Sequence, residues 1–440
     1  MQVIHRLYAS ASAPLYKRFS STQGEHLLVL QHSRLFDLPR EAAIELDSNP
    51  PELHRLAGML GETGSGEAAL DLVVEPPPQS LSLNVSSNCN LACSYCYADR
   101  GGFGGKQVNR MTPETAIAAV DRLFLDADRA APVTIGFLGG EPLLNRTLVH
   151  SVVAHAARAG GERGFDVRFS ITTNGTTLTP SDIDLLQAHR FAVTVSIDGG
   201  ADVQDAQRPD KRGRGSFNRL AEHIAPLLAA PGRAQVAARM TISGGRFDLS
   251  NRLDAVWELG FREAGVAPLR TAADDSNVGE SDWPSYLAEL IAVSRHELER
   301  ARNGASIRLT NLAVALKQIH AGASSPYPCG AGGGYFSVAA NGRWYACHRA
   351  IGDESFALGD SNGMDQKRRR AFLIQRHVHA QAPCNTCWAR YLCSGSCHQE
   401  ARSRTIASCD FIRGWLEFCL AAYCELLADQ PAFFTSGRPS

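Results

Sequence analysis

An α/β fold, with a parallel sheet that is open or closed into a partial barrel, is predicted for residues 80–305. Two observations predict it: five or six short apolar strands recur over about 225 residues, and amphipathic helices lie between them. A third marks where that fold stops, because from about Ser324 the rhythm breaks off while Gly and Cys become frequent.

Taken in order, residues 1–24 read as a flexible tail. Residues 25–75 form a small unit: an apolar run His26–Leu30, a turn-rich Ser33–Pro39, and a helical pattern from Glu41 that is interrupted at Pro50–Pro51 and resumes through Leu60. That is enough for two short strands and helices. Pro76–Pro78 reads as a stiff linker. Sheet strands are expected at Ser82–Val85, Val133–Leu138, Val167–Thr172, Ala192–Ile197, Gln235–Ile242 and Gly265–Leu269. Helices are expected at Pro113–Ala127, where Thr112 can cap and Pro113 suits the first turn, and at Arg146–Ala159, Pro180–Gln187, Phe217–Leu228, Ser250–Leu259 and Ser281–Arg302. Active sites in such folds gather at the carboxyl ends of the strands, so the loops after the strands are the ones to inspect. Residues 324–428 read as a loop-rich domain that needs staples to fold and closes on a helix at Asp410–Ala428.

Length and composition narrow the function. The chain has 440 residues, room for roughly two to three domains. Its 44 Lys+Arg against 45 Asp+Glu argue against a nucleic-acid binder. The basic run Lys367–Arg370 lies on a helical pattern with Phe372 and Leu373 and reads as a solvated helix face, while His377 and His379 read as surface or packing residues. Without a long apolar run or a signal peptide, no membrane partner and a cytoplasmic location are expected. In that reducing setting the 12 cysteines are expected to serve metal or catalysis rather than disulfides.

Cys89, Cys93 and Cys96 form a C-x3-C-x2-C triad directly after the first sheet strand. Three thiolates are one fewer than a four-iron cluster needs, which leaves one iron open. A structural zinc site would need a fourth ligand, and no cysteine or histidine lies nearby in sequence. The triad, with Tyr95 before its last cysteine, resembles the signature of the radical S-adenosylmethionine (SAM) superfamily, as does Gly139-Gly140-Glu141-Pro142 at the end of the next strand. The resemblance implies a partial (β/α)6 TIM-like barrel and a cluster whose open iron binds SAM. It implies that Gly139, Gly140, Glu141 and Pro142 orient the methionine end of SAM, a task for which a carboxylate and close-approaching backbone are suited. Thr173-Asn174-Gly175 and Ser196-Ile197-Asp198-Gly199 look like later SAM-contacting loops, making Asn174 and Ser196 cofactor candidates, with Arg208 a candidate for the SAM carboxylate. Asn174 and Asp198 read equally as turn formers before glycine.

Cys329, Cys347, Cys384, Cys387, Cys393, Cys397 and Cys409 make a second constellation. It resembles the SPASM domain that follows the barrel in peptide-modifying radical SAM enzymes and carries two auxiliary four-iron clusters. A zinc ribbon is the competing reading of Cys384–Cys397. The SPASM pattern implies that Cys384, Cys387, Cys393 and Cys409 hold one cluster, and Cys329, Cys347 and Cys397 the other, whose fourth iron is left open because Ala323–Pro328 contains no cysteine. Three clusters and SAM are thus the expected cofactors. Asn341-Gly342 suits a type I′ hairpin turn within a ribbon over Val338–Tyr345. Cys419 and Cys424 read as core thiols on the last helix.

His348 follows Cys347 where sulfatase-maturing relatives carry an acidic residue, and His suits proton transfer near neutrality, so it is the candidate base. Cys347-His348-Arg349 looks more like the maturases that crosslink ribosomally made peptides or a subunit of quinohemoprotein amine dehydrogenase. Residues 25–75 fit the winged-helix-like peptide-recognition element of such maturases. The expected partners are a precursor peptide or protein subunit and a reductant such as flavodoxin or ferredoxin. The expected reaction is a thioether or carbon–carbon crosslink. Formylglycine formation in a sulfatase, epimerisation or another α-carbon modification, and a non-catalytic zinc- or cluster-stabilised binding module are the alternatives.

Overall fold

Tyr16–Ser21 (β1), Gly24–Val29 (β2) and Arg34–Leu38 (β3) pair antiparallel in the order β1-β2-β3. Two expectations are corrected here. Residues 16–21 are a strand rather than tail, and most of the turn-rich Ser33–Pro39 is the third strand. Both were hidden because antiparallel pairing, not a strong apolar run, makes these segments extended. Helices Arg40–Ser48 and Pro50–Glu62 follow, broken at the proline pair as expected. Leu27, Val29 and Leu53 form a small core with Tyr16, Phe36, Leu46 and Leu60 packed against it.

The computed structural model describes residues 6–7, 10, 12–62, 70–96, 98, 110–270 and 277–435. Residues 1–5, 8–9 and 11 of the expected tail and 63–69 of the expected small unit lie outside the described residues. The chain forms two compact units, one of residues 1–73, 280–329 and 374–440, the other of residues 74–279 and 330–373. These limits differ from the expected domains. Helix Trp283–Arg302, assigned to the barrel from its place in sequence, belongs to the first unit, and the cysteine-rich segment is divided between the two.

In the first unit, helix Trp283–Arg302 packs on the terminal helix Ile406–Asp429 through Trp283, Tyr286 and Phe411, whose rings lie 5.1–6.3 Å apart. Helix Thr310–His320, not expected from the sequence, buries Leu312, Leu316 and Ile319. Cys419 is fully buried, a core thiol as expected. His377 and His379 are buried as well, the latter 2.9 Å from the Tyr391 hydroxyl.

In the second unit, Ser80–Ser86 (β4), Val133–Gly139 (β5), Val167–Thr173 (β6), Phe191–Ser196 (β7), Gln235–Ile242 (β8) and Ala264–Pro268 (β9) pair in parallel and in sequence order. This is the expected α/β partial barrel, left open because β9 does not pair back around. Leu81, Leu83 and Val85 are fully buried, as a parallel strand covered on both faces requires. Phe137, Phe169 and Phe191 stack across three neighbouring strands. Helix Pro113–Asp126 begins at Thr112, whose Oγ1 accepts from Thr115 N at 3.3 Å. Among the described residues no helix is long and apolar enough to cross a membrane.

Beyond the first barrel strand the sheet continues into the later sequence. Tyr335–Val338 (β10) pairs in parallel with β4, then Trp344–Tyr345 (β11), Ala357–Asp360 (β12) and Gly363–Met364 (β13) add antiparallel. The β10–β11 turn is not type I′. Gly342 alone has positive φ, +82°, its N–H bonds Ala339 O, and Ala339 N bonds Arg343 O, the pattern of a three-residue loop with a left-handed glycine.

Pro76–Pro78, read as a stiff linker, is tied down by a side chain, and of Lys367–Arg370 only Lys367 and Arg368 form the expected solvated face. Arg369 is 5% exposed and donates to Gly332 O, Gly333 O and Pro76 O, while Arg370 pairs with Glu75 at 2.7 Å. Charge periodicity could not show this, because the acceptors are backbone carbonyls far off in sequence. Arg369→Met should leave the carbonyls of buried Gly332 and Gly333 without this donor and cost about 2–4 kcal/mol, read as a lower urea midpoint.

Candidate active site

The triad loop is threaded between three strand ends. On one side it runs antiparallel to residues 207–210: Leu91 bridges Asp210, Ala92 N donates to Pro209 O at 2.8 Å, and Ser94 N donates to Gln207 O at 3.1 Å. On the other side it meets the glycine loop after β5. Gly140 N donates to Ser86 O and Glu141 N to Asn88 O, each at 2.8 Å. A Cβ on Gly139, at φ +146°, would stand 2.3 Å from Ser86 O, and one on Gly140 would stand 2.4 Å from Asn88 O. The close approach these glycines permit is therefore to the triad loop itself.

Glu141 is 1% exposed, and its carboxylate accepts from Leu143 N, Thr173 Oγ1 and Asn174 N at 3.1, 2.8 and 2.8 Å. It ties the end of β5 to that of β6, and Pro142 beside it opens a single 3-10 turn. Burial pushes its pKa up against those three donors. Asn174 is more than a turn former. Its amide donates to Asn90 Oδ1 at 2.9 Å and points at Cys89 Sγ at 3.8 Å, while Asn90 donates to Thr176 Oγ1 at 2.8 Å. Ser196 ends β7, half-buried.

Asp198 is the residue sequence reasoning undervalued. It is fully buried, accepts from the Tyr95 hydroxyl and from Thr241 N at 2.9 Å, and lies 3.9 Å from Arg208. Arg208 Nη1 in turn donates to the Tyr95 oxygen at 2.6 Å. Burial works against the Arg208 cation, but Tyr95, Cys93 and Asp198 outweigh it and raise its pKa. An Asp followed by Gly after a strand carries the turn signal; the buried hydroxyl it receives from 103 residues away does not register locally.

The sulfurs of the triad feel one another. Burial pushes Cys89 up to about 12, with the Glu141 charge and the other two triad thiols adding to it, and burial likewise raises Cys93. Such thiols become thiolates only if strong positive charge joins them, as iron would supply. Leu91 N–H points at Cys89 Sγ at 3.5 Å, and Arg208 Nε and Asn84 Oδ1 are buried without partners, a donor and an acceptor left for a bound group. Among the described residues no three His, Cys, Asp or Glu side chains converge on one ion. In a cubane each thiolate binds a different corner, so the donors need not converge. The residues present fit a four-iron cluster and SAM.

In the first unit, Cys384, Cys387, Cys393 and Cys409 are electrostatic neighbours. Burial raises Cys384, Cys393 and Cys409, Cys393 to about 11, and each feels one or two others of the set. Ser394, Gly395 and Ser396 all have positive φ, and the N–H groups of Gly395 and Ser396 point at Cys393 sulfur, a concave nest suited to an anion. Arg404 and Arg413 hydrogen-bond Cys384 and Cys387. Cys329 is exposed and, with half-buried Cys397, belongs to this unit; Cys347 belongs to the other. There its sulfur accepts from Arg349 N at 3.4 Å. His348 Nδ1 is 2.7 Å from the Tyr335 hydroxyl, and burial, helped by Arg349, pushes its pKa down to about 4, so it is a neutral imidazole.

Residues 83–246, which hold the triad, the glycine loop, Asp198 and Arg208, match the Radical SAM superfamily. This segment is a radical SAM domain, and the chain is an enzyme. A serine-type anaerobic sulfatase-maturating enzyme of Klebsiella aerogenes is 25% identical over 362 residues, covering 77% of this chain and 85% of that one. A cysteine-type enzyme of Clostridium novyi (strain NT) is 32% identical over 156 residues, 33% of this chain, and the match spans only 40% of that enzyme's length. Among solved structures, native anSMEcpe with bound AdoMet superposes with a TM-score of 0.67 at 18% identity, covering 80% of this chain and all of that one. At that identity the likeness speaks for the fold.

Proposed function

We propose that this radical SAM enzyme is a peptide maturase, which takes a hydrogen from a residue of a ribosomally made peptide or protein subunit and joins that carbon to a neighbouring sulfur or carbon. The observation that carries this reading is the second sulfur set, Cys384, Cys387, Cys393 and Cys409 in their nest of N–H groups and guanidiniums. Closing a thioether removes a C–H hydrogen atom, a thiol proton and one further electron, and a one-electron acceptor separate from the triad is what that balance requires.

A cluster and SAM at Cys89, Cys93 and Cys96 would supply a 5′-deoxyadenosyl radical by one-electron reduction of SAM. The chain's own residues do the rest. Asn174 and Asn90 hold the Cys89 end of the triad loop, Tyr95, Asp198 and Arg208 hold the Cys93 end, and Glu141 locks the glycine loop beneath both. Gly139, Gly140, Pro142 and Ser196 border the space for SAM. His348, steadied by Tyr335, is the base that takes the proton. In the small sheet β3 pairs with β2 on one side, and its other edge can accept a precursor strand through backbone hydrogen bonds.

A second reading, formylglycine formation, is favoured by the sulfatase-maturating relatives. Product chemistry separates the two. With reductant, SAM and the peptide encoded beside the gene, a crosslink should appear as loss of two hydrogens without reaction toward a hydrazide. A hydrazide-reactive aldehyde on that peptide, or on a sulfatase-derived peptide alone, would overturn the crosslinking reading.

A further inference from the structure

In a chain with almost balanced charge, several exposed cations border the triad loop among the described residues. The segment Asp210–Gly215 continues directly from the strand-like stretch that pairs with Leu91–Ser94, and Lys211, Arg212 and Arg214 on it are exposed. Lys211 Nζ donates to Asn88 Oδ1 at 2.8 Å, which sets a full positive charge beside the residue preceding Cys89. Asp210, the single acid of the segment, is used internally: it accepts from Arg214 N, from Arg212 N and from Arg214 Nε, which shapes the loop and holds its carboxyl down to about 2. Asp205 nearby is likewise spent on Ser216 N and Phe217 N. From the opposite side, Arg110 is exposed with its backbone bridged to Ser86 at the end of β4. Ser94, inside the triad, is itself exposed, so the loop reaches the surface.

We propose that the surface formed by Arg110, Lys211 and Arg212 around the triad loop is the docking face for an acidic, low-potential one-electron carrier protein. This rests on the radical SAM reading and names the partner of that site. The step is a bare electron transfer: the carrier is oxidised by one electron, the group held by Cys89, Cys93 and Cys96 is reduced by one, and no bond or proton moves. Tunnelling rewards a short path, and like-signed cations beside an exposed stretch of the ligand loop steer an acidic carrier to that path.

The test uses the double variant Arg110→Glu/Arg212→Glu, which leaves alone the side chains that hold the loop, and reduced and oxidised flavodoxin as the probe. Calorimetric binding of oxidised flavodoxin at about 50 mM salt should weaken about tenfold or more, and the difference should vanish near 0.5 M salt. Dithionite-driven 5′-deoxyadenosine formation should be unchanged while the flavodoxin-driven rate falls in step with binding. The neutral pair Arg110→Gln/Arg212→Gln should show a smaller loss of about threefold and covers the case in which charge reversal impairs folding. Unaltered flavodoxin affinity at low salt in a folded variant overturns the docking face. Absence of dithionite-driven SAM cleavage in the wild type would instead sink the radical SAM reading, and the binding arm would still judge the surface.

Discussion

Cys93→Ala should abolish 5′-deoxyadenosine formation and lower bound iron by about one four-iron cluster after anaerobic reconstitution. Cys93 feels the buried Arg208 charge, and its loop position is fixed on both flanks, by Ala92 N to Pro209 O and Ser94 N to Gln207 O. No other cysteine can move into that place, because the next nearest in sequence, Cys89 and Cys96, belong to the same set. Cys419→Ala is the matched control. That thiol is fully buried in the terminal helix, so its removal should cost about 1 kcal/mol and leave iron and SAM cleavage alone. SAM cleavage retained by Cys93→Ala would refute the assignment of the site.

The second large effect is on stability. Asp198→Ala should lower the free energy of unfolding by about 3–5 kcal/mol, because it leaves the Arg208 cation buried without its carboxylate and strips the Tyr95 hydroxyl and Thr241 N–H of their acceptor. Asp198→Asn keeps an acceptor for one of the two donors, since the Tyr95 hydroxyl and Thr241 N–H go to different carboxylate oxygens, and should cost less than Asp198→Ala, about 1–3 kcal/mol. Urea unfolding followed by circular dichroism measures both, and iron content should fall with Asp198→Ala as the Tyr95 end of the triad loop loosens. A wild-type midpoint for Asp198→Ala would mean that the Tyr95 and Arg208 contacts carry no weight.

Much of this was legible in one dimension. The six parallel strands lie within two residues of their expected ends, because a strand buried on both faces writes an apolar run into the sequence. The cysteine triad and Gly139-Gly140 were legible because ligand spacing and the need for a bare backbone are local properties. What failed was whatever depended on a distant partner. β1 and β3 are short and only partly apolar, and they become strands through β2. Arg369 looked like one charge in a run of four until the carbonyls of Pro76, Gly332 and Gly333 were seen around it. That the Glu141 carboxylate also accepts from Leu143, Thr173 and Asn174, and so holds the loops, did not show in the spacing either.

The sequence by itself determined the chemistry: which thiols exist, their spacing, the glycines beside them and the βα order that sets them at strand ends. These follow from covalent neighbourhood and periodicity, which need no third dimension. Only the tertiary structure decided which side chains hold that chemistry in place. Asp198 beneath Tyr95, Asn90 against Asn174, and Lys211 beside Asn88 are pairings across tens of residues. They form because burial leaves a polar group no solvent to bond, so it must find whichever partner the fold brings near.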